Sequence, residues 1–211
     1  MYQPSSFAPT DTEAMHALMR AAPLATLVVP TATGLQANPL PLQLREDAQG
    51  WVLAGHVARA NPVWQAAPTG EVLAVFSGAQ GYVSPGWYAS KAAHGKVVPT
   101  WNYATVHAHG SLRWIDDAEW LRAFLDGLTR THEAGQAHPW QMSDAPADFT
   151  AQLLQAIVGL ELRITRLEGK FKLSQNRPAA DQQGVLAGLQ QNGDAGSAAL
   201  AEAMRAVLGA P

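Results

Sequence analysis

The stretch Val97–Ile115, VVPTWNYATVHAHGSLRWI, decides how the rest of this chain is read. It alternates well enough to be a bent strand or a hairpin. Read as a strand, it sets Trp101, Tyr103, Thr105, His107 and His109 on one face and Asn102, Ala104, Val106, Ala108 and Gly110 on the other. The first face is bulky and polar-tipped and suits a pocket wall or a dimer seam. The second is mostly small and lets a neighbour approach closely.

Further elements are expected on both sides of it. Thr10 and Glu13 have capping-box spacing ahead of a helix that runs to Pro23 through Ala14, Met15, Leu18 and Met19. Leu24–Val29 reads as a strand closed by PTATG. Leu35–Leu44 is interrupted by Pro39 and Pro41, which cannot donate ladder hydrogen bonds, so it reads as an edge, bulged or half-irregular strand. Trp51–His56 and Val72–Phe76 are strand candidates, with ARANPVWQAAP as a short helix between them. Asp116 or Asp117 caps an amphipathic helix carrying Trp120, Leu121, Phe124, Leu125 and Leu128. Pro146 opens another helix, and Leu160–Leu167 alternates as a strand. The Ala-, Gly- and Gln-rich tail from about residue 179 reads as helix plus a loose terminus. Early strands with helices inserted between later ones fit an α+β, antiparallel barrel better than a doubly wound parallel sheet. One domain spanning 1–211 with decorating helices is expected.

Composition narrows the function classes. Of 211 residues, 47% are hydrophobic and 15% charged, so a sizeable core can form and disorder has no compositional support. Cys is absent, which removes disulfides, thiolate catalysis and cysteine-bound metals. A formal net charge of −3 gives no strongly basic field for gripping nucleic acid. No helix-turn-helix, zinc module or Arg-rich recognition helix is visible, and only LRITRLEGKFK is locally basic, so direct DNA binding is not expected. With no signal-peptide pattern and no window approaching a membrane span, the expected location is cytoplasmic.

Residues able to carry chemistry fall in four patches at strand ends. In GHVARANP, His56, Arg59 and Asn61 stand at a strand-to-helix turn, where cationic and amide donors join a helix N-terminus to suit a phosphate. The alternative is a solvated Arg59 and an Asn61 that caps the helix. In SPGWYASKAAHGK, Trp87 and Tyr88 beside Lys91, His94 and Lys96 could clamp a planar anion, or pack a loop down beneath ordinary surface lysines. The third patch is VPTWNYATVHAHG. Its His107 and His109 lack the carboxylate that a metal site of that spacing wants, so no metal is expected there. In GKFKLSQNR, Lys172, Gln175, Asn176 and Arg177 can reach a phosphate, a ribityl chain or a ring edge, or else end a basic strand with an Asn cap.

No GxGxxG or GxxxxGK[ST] fingerprint, GxSxG elbow or paired carboxylates are present, and no catalytic residue is assigned. Redox chemistry borne by a bound cofactor is the enzyme class this inventory best allows.

Taken in order, MYQPSSF, GHVARANPVW, GYVSPGWYASKAAHGKVVPTWNYATVHAHG, the helix with THEAGQAHPW and DAPADF, and AIVGLELRITRLEGKFKLSQNR resemble the PaiB family of FMN-binding split-barrel proteins. The resemblance runs to about Val185, with Phe171 where the family usually has Trp. It implies an antiparallel split β-barrel, FMN as cofactor, and a homodimer with cofactor sites at the subunit interface. It also implies a link to negative transcriptional regulation, acting through flavin or metabolite binding. By the same resemblance His56, Arg59 and Asn61 are phosphate-side candidates. Lys96, Thr100, Trp101 and Asn102 lie nearer the ring or ribityl chain, and Lys172, Gln175, Asn176 and Arg177 complete the site. The alternative within the fold is a flavin reductase or oxidase, or a haem-handling enzyme.

Overall fold

Prolines and short polar turns divide the described residues into seven strands and six α-helices. The computed structural model describes residues 1–9 and 11–209. Helix α1 is Thr12–Ala21. The strands are β1 Leu24–Thr31, β2 Gly34–Pro41, β3 Gln43–Asp47, β4 Gly50–Ala58, β5 Val72–Val83, β6 Thr100–Ile115 and β7 Ile157–Lys172. The other helices are α2 Ala89–His94, α3 Ala118–Glu133, α4 Ala147–Gln155, α5 Ala179–Asn192 and α6 Ala195–Leu208. The strands form one antiparallel sheet in the order β2-β1-β5-β6-β7-β4-β3, an α+β arrangement as expected. No described helix is long and apolar enough to cross a membrane.

The prolines do what strand chemistry requires. Pro39 and Pro41 lie on β2, an edge strand paired only with β1, and residues two apart turn the same way in a strand. Both missing N–H groups therefore fall where no ladder needs them. The 35–44 segment then splits after Pro41, and β3 pairs with β4 at the opposite edge. Pro30 lies on inner strand β1, but beyond the pairing with β5, which covers Thr26–Val28.

Two compact units are distinguishable. The first comprises residues 1–21, 77–107 and 168 onward; the second comprises 22–76 and 108–167. Strands β5, β6 and β7 have residues in both.

In the first unit, β6 residues Asn102, Ala104 and Val106 are buried and the intervening side chains are not, which matches the alternation read from sequence. Helix α6 buries Leu200, Ala201 and Met204, and α5 buries Val185 and Leu189. The tail is therefore two packed helices rather than a helix with a loose terminus. A period of 3.6 hidden among alanines and glycines accounts for the misreading, because those residues contribute little to an apolar pattern. The close approach is read from α5 itself: a Cβ on Gly188 would sit 2.3 Å from the Trp87 ring, and one on Gly184 1.9 Å from its carbonyl oxygen.

In the second unit, Asp117 caps α3 by accepting from the Trp120 N–H at 2.9 Å. Gly110 meets β7 so closely that a Cβ would lie 1.9 Å from the Arg163 carbonyl oxygen, as the small face of β6 requires. At the start of α1, Asp11 Oδ1 accepts from the Glu13 N–H at 2.9 Å, and the Thr10 capping box lies outside the described residues.

Candidate functional site

The sequence-selected residues divide between the units, and each group has its own geometry. In the first unit, β7 alternates so that Gly169 and Phe171 turn inward while Lys170 and Lys172 share the opposite, half-buried face. Lys172 Nζ donates to Thr100 Oγ1 at 2.6 Å and to the Trp101 carbonyl. Burial pushes the Lys172 ammonium below the ordinary lysine range, and the charges of Arg177 and Lys170 push it further. Lys170 Nζ stands 5.3 Å from the Tyr2 ring centre and 5.7 Å from that of Tyr103. The Arg177 guanidinium lies 4.8 Å over the Tyr88 ring. Two of these three cations thus lie over three aromatic rings, while Lys172 meets a hydroxyl and a carbonyl.

The turn after β7 is built to hold Arg177. Ser174 has φ 69°, the one positive value outside glycine among the described residues, a conformation that non-glycine side chains rarely adopt. Gln175 secures the strand end: its Oε1 accepts from the Leu173 N–H at 2.7 Å and its Nε2 donates to the Phe171 carbonyl. From α5, Gln182 Nε2 donates to the carbonyls of Ser174 (3.2 Å) and Arg177 (2.9 Å). Asn176 is exposed. Asn102 is 1% exposed and donates to Ser174 Oγ at 2.9 Å, so within one chain it braces this turn from below.

Trp101 is 56% exposed and meets Tyr82 edge to face at 6.3 Å, an open aromatic surface. Lys96 is exposed in the loop that follows α2, and its N–H donates to His94 Nδ1 at 3.0 Å. Trp87 packs down on α5, and Ser90 at the start of α2 donates from its N–H (2.9 Å) and Oγ (2.7 Å) to Asp181, which is 2% exposed. The sequence reading passed over Tyr2, Asp181 and Gln182. The Gly184-x-x-x-Gly188 spacing on α5 was the available signal for this docking.

In the second unit, Arg59 is heavily engaged. Its Nη1 and Nη2 donate to the two Asp116 carboxylate oxygens at 2.9 and 2.5 Å, Nε to the Gln155 carbonyl at 2.7 Å, and Nη2 also to that of Ile157 at 3.1 Å. The guanidinium raises its own pKa through Asp116 and lowers that of the carboxyl. Asn61 Oδ1 accepts from the Val63 N–H at 3.0 Å, capping the 3-10 turn Pro62–Gln65, and its Nδ2 donates to Asn38 Oδ1 at 2.7 Å. His56 lies edge-on to Phe124 at 5.9 Å, and burial lowers its pKa, favouring the neutral imidazole. Within the chain, clasp and cap account for Arg59 and Asn61. Elsewhere in this unit, His109 Nδ1 lies 3.2 Å from Glu71 Oε2, which also takes Arg166.

An FMN couples a phosphate to a flat ring. The donor set around Lys172 fits it: an ammonium whose charged form is disfavoured by burial and by two neighbouring cations is relieved by an anion, and the exposed Trp101 face suits the ring.

Comparison with known proteins agrees with this chemistry. Residues 1–166 match the family described as "Putative FMN-binding domain". The chain is 33% identical over 93% of each chain to an uncharacterised protein, AN0679, of Emericella nidulans. It is 28% identical to protease synthase and sporulation protein PAI 2 of Bacillus subtilis, over 97% of this chain and 96% of that one. Among solved structures, the FAD and haem binding protein from Mycobacterium smegmatis superposes with a TM-score of 0.53 at 18% identity, covering 78% of this chain and 72% of that one. At that identity the likeness speaks for the fold, the α+β split barrel. The chain belongs to the FMN-binding domain family, and FMN is the cofactor to which that membership and the Lys172 donor set both point.

Proposed function

We propose that this chain is a cytosolic, homodimeric FMN-binding regulator of the PaiB type, in which flavin occupancy or a related metabolite modulates a partner. The observation that carries the flavin half is the cluster of Lys170 over Tyr2 and Tyr103, Arg177 over Tyr88, and Lys172 bonded to Thr100 and Trp101. The regulatory half is supported by the name of the Bacillus subtilis relative, a sporulation protein.

In this reading Lys172 and Arg177 bind the phosphate or the ribityl oxygens, and Thr100 orients the Lys172 ammonium. Trp101 offers a face to the ring. Gln175, Asn102 and Gln182 act by holding the Ser174–Arg177 turn, while Asn176 and Lys96 supply exposed polar groups at its margin. When bound, FMN supplies a ring that takes up and releases electrons. Arg59 already has its charge matched by Asp116, and Asn61 commits its Oδ1 to Val63 and one Nδ2 N–H to Asn38, so neither is held ready for a phosphate.

Titration with FMN, followed by flavin absorbance and fluorescence, tests the cofactor half; saturable binding is expected, and a colourless protein with no measurable affinity would sink it. Sedimentation with and without FMN tests the dimer, a monomer under both conditions being the negative result.

A further inference from the structure

The second unit holds a cavity of about 370 Å³ whose walls include Leu125, Trp140, Phe149, Leu153 and Ile157 from α3, α4, the segment between them and the start of β7. His56 lines it too. Its Nδ1 is buried with no hydrogen-bond partner among the described residues. That atom is closed off from the cavity too, so the edge of the half-buried ring that meets the cavity is the opposite one. The volume lies at the small end of the range for small-molecule sites.

No lysine or arginine lines the cavity, so a phosphate has no partner in it, and the site is separate in its chemistry from the Lys172 cluster. Trp140, Phe149 and Leu153 are each about half exposed, which leaves the cavity a way in. The segment carrying Trp140 is tied down. The Trp140 N–H donates to Glu133 Oε2 at 3.0 Å, and the Gln141 N–H to Asp144 Oδ2 at 2.9 Å. The wall is preformed rather than assembled by the ligand.

We propose that this cavity binds a small, uncharged, mainly aromatic molecule carrying one hydrogen-bonding group, which pairs with the accessible edge of the His56 imidazole. A half-open cavity of this volume has room for a small molecule. Burial keeps the imidazole neutral, so it can meet a hydroxyl or N–H without bringing a charge into carbon surroundings. The proposal stands independently of FMN binding.

Calorimetric titration of the full-length protein with p-cresol, toluene and benzoate tests it. p-Cresol should bind saturably at one site, toluene roughly two- to tenfold more weakly for want of the hydrogen bond, and benzoate not measurably. In His56→Leu the p-cresol affinity should fall to that of toluene while toluene is unchanged. The His56 ring resonances of the unmutated protein should shift with p-cresol and not with toluene, a readout that needs no variant. Two results would overturn the proposal: no saturable p-cresol binding, as when a second copy of the chain covers the cavity, or equal affinities for p-cresol and toluene in the unmutated protein.

Discussion

Two clusters of cations and amides, His56–Asn61 at the end of β4 and Lys170–Arg177 at the end of β7, look alike as sequence and differ in what their charges face. Arg59 meets a carboxylate in bidentate geometry and two main-chain carbonyls. Lys172 meets a hydroxyl, a carbonyl and the repulsion of two further cations. The difference teaches that a cation's type and loop position do not make an anion site; what matters is whether the fold has already supplied its counter-charge. A satisfied guanidinium clasps α4, β7 and the α3 cap region together. An ammonium bonded only to neutral acceptors is available to an anionic ligand.

The sharpest way to break this comparison is Lys172→Met. Losing a charge-assisted contact of this kind should weaken FMN binding roughly ten- to hundredfold, read by fluorescence titration, and an unchanged affinity would remove the distinction between the clusters. Next comes the platform beneath the turn. Gly188→Leu drives a side chain into the Trp87 ring and should destabilise the protein by about 1–3 kcal/mol, measured by urea unfolding; a neutral result would mean that α5 does not brace the loop.

The pH dependence should be smaller and of two signs. Because the Lys172 pKa is lowered in the folded chain, the folded state loses its proton before the unfolded one does. The empty protein bears the full penalty of holding that charge below the folded pKa and gains stability as pH rises from there towards 10.5. FMN affinity should fall over that same window as the ammonium is lost, and Lys172→Arg should keep its affinity to higher pH. Paired pH titrations of melting and of FMN binding would show the opposed slopes; parallel slopes would argue against Lys172 as the titrating group.

The smallest expected effect sharpens the other side. Asp116→Asn releases Arg59 from its carboxylate, an exposed pair of the kind that contributes little. The melting midpoint should drop slightly and FMN affinity should stay within about twofold. A tenfold tightening would instead make Arg59 a phosphate ligand held in reserve.

Much of this was legible along the chain. The two faces of β6 follow from a period of two over residues 102–110, and the edge position of β2 follows from Pro39 and Pro41, because an imino nitrogen has no hydrogen to donate. The Asp117 cap and the Asn61-Pro62 turn are equally local. Lys172 and Arg177 could be named as candidates from residue type, and Thr100 from the family resemblance.

What only the tertiary structure decided is which of these groups had partners. Asp116 is 57 residues from Arg59, Thr100 is 72 from Lys172, and Asp181 is 91 from Ser90. The packing of α5 and α6 was hidden for a related reason, since Gly184 and Gly188 carry no apolar signal of their own and gain meaning only against Trp87. Local pattern sets which way a side chain turns, because backbone geometry repeats over a few residues. The charge or cavity it then meets is set by chain segments far away in sequence, and no local period records them.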